Sequence, residues 1–142
     1  MKWLLDTCVI AELPRPRPAQ SVIQWLNERD EETLFLSVLT IGELERGISR
    51  LPSSTRRSTL ERWLQSDVTE RFGRRLLAID AAVAARWGSI SGMSEARGEP
   101  LPVVDSLIAA TSLVHDCIVV TRNTRDLDRC GVRCFNPWEA HR

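Results

Sequence analysis

The stretch "KWLLDTCVIAEL", residues 2–13, joins a strand to a helix with no loop between them. Its apolar start, Lys2–Leu5, predicts a short strand, and Asp6 with Thr7 marks the point where the chain turns into a helix. The prolines of "PRPRP", residues 14–18, end this helix, because proline lacks an amide hydrogen and restricts the residue before it. The stretch therefore predicts the first strand–helix unit of an α/β fold.

Strand-like and helix-like segments alternate along the rest of the chain. Apolar segments predict further strands at residues 33–37, 75–80, 117–121 and 132–135. Helical patterns cover residues 19–29, 38–50, the segment around Leu60, Trp63 and Leu64, residues 81–96 and the stretch 101–114. This order predicts a single domain over residues 1–142, a three-layer α/β/α architecture with a mostly parallel central sheet.

The composition is that of a globular protein, with 142 residues of which 43% are hydrophobic and 27% charged. No apolar run approaches the roughly 18 residues of a membrane span, and Asp6 interrupts the start where a signal peptide is apolar. We therefore expect a cytoplasmic protein without a membrane anchor.

The charge pattern neither requires nor excludes nucleic acid. The net charge is +0, so there is no bulk attraction to a polyanion. All of the 19 basic residues except Lys2 are arginines, which bind phosphate with a planar, two-pronged group. A genomic bias toward arginine codons explains the same composition equally well.

The four cysteines are expected to be reduced packing residues. The chain carries no export signal, and most of these cysteines lie in or beside apolar segments. The spacing of Cys130 and Cys134 could suit a metal, but no second pair of Cys or His residues completes such a site.

Three carboxylates are each the first or only charge of an apolar segment. Asp6 ends "WLLD", Glu43 is the only charge in residues 33–44, and Asp105 lies within "LPVVDSLIAATSLV", residues 101–114. Burying an ionised, unpaired carboxylate costs several kcal/mol, roughly, so each of these acids needs a partner, hydrogen bonds or a metal ion. Helix capping or pairing with an arginine is the alternative to a functional role.

The positions of these acids favour a common site. Ligands of parallel α/β sheets bind beyond the carboxyl ends of the strands, where the strand order switches. Asp6 follows one predicted strand, and the helix with Glu43 follows another. The strand "IVVT" leads into "RNTRDLD", which adds Thr121, Asn123 and Asp126 at the same edge. Oxygen donors without a nearby histidine suit Mg²⁺ or Mn²⁺, which activate water and offset the charge of a phosphate transition state.

Other chemistries lack their residues. The sequence has no Walker glycine loop and no glycine-rich dinucleotide motif, which argues against nucleotide cofactors. His115 stands beside Asp116 without a serine or cysteine partner for a catalytic triad. A phospho-acceptor receiver domain would need an acidic pair near the first strand and a late lysine, whereas Lys2 is the only lysine.

Taken together, four segments resemble a PIN-domain ribonuclease toxin of the VapC type, in particular the subgroup whose chains end in an Asn-Pro-Trp motif. They are "LLDTCVIAEL" (4–13), "LSVLTIGELERGI" (36–48), "VVDSLIAATSLVHDCIVVTRNTRDL" (103–127) and the ending "FNPWEAHR" (135–142). The resemblance implies an endoribonuclease dependent on Mg²⁺, with Mn²⁺ as a substitute, that is the toxin of a type II toxin–antitoxin system. A non-catalytic PIN-like RNA-binding module is the alternative.

The resemblance also implies roles for individual acids. Asp6 and Asp105 match the principal metal ligands, and Glu43 matches an acid that binds metal directly or through water. The fourth polar position is open between two residues. We favour Asp126 as a supporting acid, with Asn123 as a neutral oxygen donor.

Two threonines and two arginines accompany these acids. Thr7 and Thr121 match positions of small hydroxyl residues that orient water or a carboxylate, although a helix cap and a strand end explain them equally well. Arg122 and Arg125 could hold RNA phosphates, and an exposed polar loop is the alternative.

The partners that the resemblance implies are RNA, a second copy of the chain and a cognate antitoxin. The antitoxin would lay a segment over the active site and into a groove between helices. A larger toxin–antitoxin assembly is a further implication of the resemblance. The helices with Trp25 and Trp63 are the candidate walls of this groove.

Overall fold

The computed structural model describes residues 1–139, so the last three residues of the "FNPWEAHR" ending lie outside the described part of the chain. The described residues contain one five-stranded sheet in which every pair of neighbouring strands is parallel. Its strands are β1 (Lys2–Leu5), β2 (Leu34–Ser37), β3 (Leu76–Leu77), β4 (Cys117–Val120) and β5 (Cys134–Phe135).

Helices connect these strands and cover both faces of the sheet. They are α1 (Thr7–Glu12), α2 (Gln20–Asn27), α3 (Val38–Ser49), α4 (Thr55–Arg62), α5 (Ala81–Ala96), α6 (Val103–His115) and α7 (Thr124–Asp128). A π-helical segment, Trp63–Glu70, continues α4, and single 3-10 turns lie at Glu31–Thr33, Gly73–Arg75 and Pro137–Glu139. Within residues 1–139, no helix combines the length and the apolar character needed to cross a bilayer.

The central strands are buried on both faces, which produces the three layers. Leu5 packs with Val9 and Val22 of the helices on one face, whereas Leu4 packs with Ile108 on the other. Adjacent side chains of a strand point to opposite faces, so a continuous apolar run is what a sheet covered on both sides requires. The predicted α/β fold is therefore confirmed, and the sheet is entirely parallel.

The strand order, β3-β2-β1-β4-β5, reverses direction at β1. The chain first moves from β1 to β2 and β3 on one side, and then crosses back to place β4 and β5 on the other. The carboxyl ends of β1 and β4 therefore border the switch point, where α/β sheets open a crevice for ligands.

Two predicted strands are shorter than expected. The segment 75–80 contributes only Leu76–Leu77, and the segment 132–135 contributes only Cys134–Phe135. Both strands form the edges of the sheet, where one side has no neighbouring strand to extend the pairing. Beside β3, the buried Arg75 supplies hydrogen bonds that a strand neighbour would otherwise supply, donating to the carbonyl oxygens of Glu31 at 2.7 Å and Leu34 at 2.9 Å.

All four cysteines are free thiols, as expected for packing residues. Cys117 and Cys130 are buried, and burial raises the pKa of both thiols. These two side chains therefore pack as small apolar groups.

Replacing Arg75 by alanine should lower the free energy of unfolding by about 2 kcal/mol, because the backbone carbonyls of Glu31, Leu34 and Arg71 lose a charged donor. Urea denaturation followed by circular dichroism measures this change. Arg74→Ala is the matched control at the exposed neighbouring position and should change stability by less than about 0.5 kcal/mol. Equal denaturation midpoints for the two variants would contradict the role of Arg75.

Candidate active site

Asp6 lies where the ends of β1 and β4 meet. Its backbone N–H donates to the carbonyl of Val120 at 2.9 Å. Its Oδ1 accepts a hydrogen bond from the backbone N–H of Thr7 at 2.9 Å, which caps α1, and its Oδ2 accepts one from the Thr121 hydroxyl at 2.8 Å. The Cys8 thiol is a second, weak donor to Oδ2 at 3.9 Å. Oδ1 has one partner and keeps a lone pair for a further ligand.

Thr121 is the buried hydroxyl that holds this carboxylate. It follows β4 directly, and its side chain is 0% exposed. Besides donating to Asp6, its Oγ1 accepts a hydrogen bond from the backbone N–H of Asn123 at 2.9 Å. Thr121 therefore fixes both the orientation of Asp6 and the start of the loop that follows β4.

Thr7 connects α1 to the acid on α3. Its hydroxyl donates to Glu43 Oε1 at 2.6 Å and lies 3.1 Å from the hydroxyl of the buried Thr40. Ser37, at the end of β2, caps α3 by accepting from the Leu39 backbone N–H at 3.1 Å. The α3 helix thus starts at the carboxyl edge of the sheet and brings Glu43 to the first residue of α1.

Asp105 lies in the first turn of α6, which begins directly after Pro102, so its carboxylate is close to the positive end of the helix dipole. Burial raises the pKa of its carboxyl group. Neighbouring negative charges raise this pKa further, and they belong to Asp6, Asp126 and Glu43. Asp105 is therefore close enough to these three acids to be repelled by them.

Asn123 and Asp126 form a pair at the far side of these acids. The Asn123 amide nitrogen donates to Asp126 Oδ2 at 2.9 Å, and Arg129 lies 3.9 Å from the other carboxylate oxygen. The two candidates for the fourth polar position therefore lie side by side, and Asp126 orients the Asn123 amide.

An open cleft of about 740 Å³ collects most of the predicted residues. Those that line it are Asp6, Thr7, Glu43, Asp105, Arg122 and Asn123. Two further predicted residues adjoin the cleft: Thr121 is buried beside Asp6, and Asp126 accepts a hydrogen bond from Asn123. Arg125 is an exposed residue of α7 and does not line the cleft.

The apolar segments that contain Asp6, Glu43 and Asp105 do not bury the carboxylates themselves. Glu43 is exposed, and Asp6 and Asp105 are half-buried, because their apolar neighbours pack against the sheet while the acids face the cleft. The buried acid is Glu12, 6% exposed, which accepts hydrogen bonds from the Ala19 backbone N–H at 3.0 Å and from Arg15 at 3.2 Å. Among residues 1–139, no arginine, lysine or histidine forms an ion pair with the three predicted acids.

The chemical character of the oxygen donors in the cleft suits a hard divalent cation. Carboxylate, hydroxyl and amide oxygens without histidine are the ligands of Mg²⁺ and Mn²⁺. Nowhere in residues 1–139, however, do three His, Cys, Asp or Glu side chains converge tightly enough to form a finished cage. A bound cation would offset the negative charges of Asp6, Asp126 and Glu43, which add to the effect of burial on the pKa of Asp105.

Several supporting residues were missed from the sequence. Trp87 Nε1 donates to the Ser106 hydroxyl at 2.9 Å, and this hydroxyl donates to the Val103 carbonyl at 2.8 Å, which fastens the first turn of α6 to α5. Thr40 likewise lies beneath the Thr7–Glu43 contact. The sequence gives little indication of these roles, since a tryptophan and single hydroxyl residues in apolar helices are typical of packing.

The two predicted groove tryptophans have different surroundings. Trp25 is only 3% exposed and stacks on Phe135 with ring centroids 5.3 Å apart, so its side chain belongs to the core. Trp63 is half-buried and lines an open groove with Leu44, Ile48 and Leu60. We call this the α3–α4 groove; Thr7 and Glu43 also line it, so it reaches the acid cleft.

Comparison with known proteins gives consistent matches over nearly the whole chain. The family model for the PIN domain matches residues 3–132. The chain is 35% identical over 135 residues to the toxin FitB of Neisseria gonorrhoeae, covering 95% of this chain and 97% of FitB. It is 32% identical over 136 residues to the VapC ribonuclease Y4jK of Sinorhizobium fredii, covering 96% and 97%.

A solved structure shows the same likeness in three dimensions. The structure of FitAB bound to an IR36 DNA fragment superimposes with a TM-score of 0.90 at 33% sequence identity, covering 96% of each chain. The likeness therefore extends across the sheet, its helices and the cleft at the switch point.

Asp105→Asn should raise the Tm of the metal-free protein by about 4 °C at pH 7, because the change removes a half-buried charge that the neighbouring acids also repel. The pKa of this carboxyl is raised above 3.8, so the folded chain keeps the proton more readily than the unfolded chain. The stability gain should consequently shrink as the pH falls through the raised pKa and vanish below 3.8, where both states hold the proton. Calorimetry across pH measures it. Asp67→Asn, at an exposed acid outside the cluster, should leave the Tm unchanged, and an equal gain there would contradict the interpretation.

Proposed function

The chain belongs to the PIN-domain family, and on that premise we propose that it is a Mg²⁺-dependent endoribonuclease, the toxin of a type II toxin–antitoxin system. One observation carries the proposal: an open cleft at the switch point is lined by Asp6, Glu43 and Asp105, with Asp126 within electrostatic reach. The similarity to a VapC ribonuclease and to the toxin FitB supports the same activity. We further propose that its Asn136, Pro137 and Trp138 mark the subgroup with the Asn-Pro-Trp ending.

We assign the metal-binding roles to the cleft acids. Asp6 and Asp105 would be the principal ligands, and Glu43 would bind directly or through water. Asp126 would act as a supporting acid that orients Asn123, whose amide oxygen stays available because its nitrogen is bonded to Asp126. Mg²⁺ or Mn²⁺, when bound, activates water and offsets the negative charge of the phosphodiester.

The chain's own residues prepare the cleft for hydrolysis of a phosphodiester bond. The Thr7 backbone N–H and the Thr121 hydroxyl restrain the two oxygens of Asp6, and the Thr7 hydroxyl restrains Glu43. This pre-orientation lowers the cost of ordering the acids when the substrate arrives. Arg122 on the cleft wall and Arg125 on α7 are the proposed phosphate contacts.

The α3–α4 groove is the proposed place for an antitoxin segment. Its apolar wall contains Trp63 and Leu60, and its end at Glu43 and Thr7 would let a bound segment reach the acid cleft. The likeness to FitAB, whose structure contains bound DNA, supports an antitoxin partner and a larger assembly. We propose that two copies of this toxin pair in that assembly, in the cytoplasm.

A non-catalytic RNA-binding module is the second candidate. It is favoured by the absence of a finished metal cage within residues 1–139. Titration with Mn²⁺, followed by electron paramagnetic resonance, separates the two candidates. Binding by the wild type that is lost in Asp6→Asn supports the nuclease, whereas an unchanged free Mn²⁺ signal with the wild type supports the RNA-binding module.

Asp6→Asn and Asp105→Asn should each reduce RNA cleavage by at least ~100-fold, since each removes ligand charge with little change in volume. The measurement is cleavage of total RNA with mapping of the new ends, with growth arrest on induction as the cellular counterpart. EDTA should abolish wild-type cleavage and added Mg²⁺ or Mn²⁺ should restore it. Asp67→Asn is the control and should cleave normally. Full cleavage by a clean Asp105→Asn preparation would overturn the assignment.

Thr121→Val should lower kcat by roughly 10-fold, because a methyl group replaces the hydroxyl that orients Asp6. Thr121→Ser keeps the hydroxyl and should restore most of the rate. Single-turnover cleavage measures the effect, and urea denaturation reveals any loss of stability. A valine variant with the wild-type rate would show that the hydrogen bond has no role in catalysis.

A further inference from the structure

Arg122 and Trp138 form a contact at the rim of the acid cleft. Arg122 follows β4 by two residues and lines the cleft together with Asp6 and Asp105. Its guanidinium carbon lies 5.0 Å from the centroid of the Trp138 ring, within the range of a cation–π interaction. This contact joins the segment after β5 to the site.

Trp138 is held firmly enough to serve as a platform. Its backbone N–H donates to Asn136 Oδ1 at 2.9 Å, and its carbonyl accepts a hydrogen bond from the Ser21 hydroxyl of α2 at 3.4 Å. The preceding Pro137 is buried, and the Trp138 ring packs against the core cluster of α1 and α2. The ring is therefore fixed by the fold and does not depend on Arg122 for its place.

Arg122 is the one basic residue among the described residues that line the cleft. An arginine beside carboxylates would ordinarily pair with them and occupy the oxygens that a cation needs. Yet no ion pair joins Arg122 to an acid of the cleft in residues 1–139. The contact with Trp138, together with the Arg122 backbone N–H donating to Cys8 Sγ at 3.5 Å, accounts for its position at the rim.

A guanidinium that contacts a ring through its face keeps its N–H donors, which lie in its plane. Those donors match the oxygens of a phosphate in a two-pronged contact. The ring also restricts a long side chain in advance, which reduces the entropy lost when a phosphate binds.

We propose that Trp138 is a positioning residue that holds Arg122 at the cleft rim, apart from the carboxylates, where the guanidinium binds a backbone phosphate of the RNA. The inference rests on the proposed nuclease function for the identity of the polyanion. Trp138 itself does not contact the RNA.

A double-mutant cycle on RNA affinity tests this role. The variants are Arg122→Gln, Trp138→Leu, their combination, and Trp138→Phe, each made in an Asp105→Asn background so that binding is read without cleavage. Fluorescence anisotropy with a labelled single-stranded RNA gives Kd over a series of KCl concentrations. Arg133→Gln is the matched control, because it also removes one exposed arginine charge. Arg133 precedes β5 and so lies at the amino ends of the strands, whereas the cleft lies at their carboxyl ends.

Arg122→Gln should weaken binding by roughly 10-fold and reduce the salt slope by about 0.7, the value for one lost phosphate contact on a single strand. Trp138→Leu should weaken binding by about 3-fold in the presence of Arg122 and should have no effect in its absence. Trp138→Phe keeps an aromatic face and should bind close to the parent. Arg133→Gln should change Kd by less than about 2-fold.

Two results would overturn the proposal. A further loss on adding Trp138→Leu to Arg122→Gln would mean that the ring contacts RNA itself, and an Arg122→Gln effect no larger than that of Arg133→Gln would remove the phosphate contact. If Trp138→Leu fails to fold, the NMR signal of the Arg122 Nε–H is followed in the parent protein as RNA is added. A change in its chemical shift supports the proposal, and an unchanged chemical shift rejects it. A failure of the proposed nuclease function is distinguished from these results, because the wild type would then not cleave RNA.

Discussion

The parallel pairing of β1 with β4 is the constraint on which the site depends. Leu5 pairs with Val120, so Asp6 and Thr121 are both the first residues past their strands. Their side chains then meet at 2.8 Å, although 115 positions separate them in the sequence. A slip of one residue would turn one of the two side chains to the other face of the sheet and break this contact. The register that buries Leu4 and Leu5 on opposite faces therefore also orients the first acid.

The cleft concentrates negative charge that the fold does not neutralise. Asp105 has no basic ion-pair partner among residues 1–139, and burial, together with the charges of the neighbouring acids, raises its pKa. Such an arrangement lowers stability, and the surrounding structure compensates for it through rigid supports. Thr121 is one support for Asp6, and the Trp87–Ser106 contact is one for the turn that carries Asp105. At the rim, the guanidinium of Arg122 contacts the ring of Trp138 and forms no ion pair with these acids.

Local patterns in the sequence predicted much of the fold for identifiable reasons. The strands β1, β2 and β4 are central and buried on both faces, so their apolar runs stand out. The edge strands β3 and β5 are two residues each, and their lengths depend on neighbours that a local pattern does not contain. Arg75 was assigned to a strand for the same reason, since the carbonyls of Glu31 and Leu34 to which it donates lie about forty positions away.

By itself, the sequence determined the alternation of strands and helices and the isolated acids that follow them, because both depend on neighbouring residues. The tertiary structure alone decided which acids share a cleft and how exposed each one is, because these follow from strand order and helix packing. Glu43 shows the difference: its apolar neighbours suggested burial, whereas α3 directs it to an exposed wall beside Thr7. Trp138 shows it again, since only the fold brings the end of the chain to Arg122.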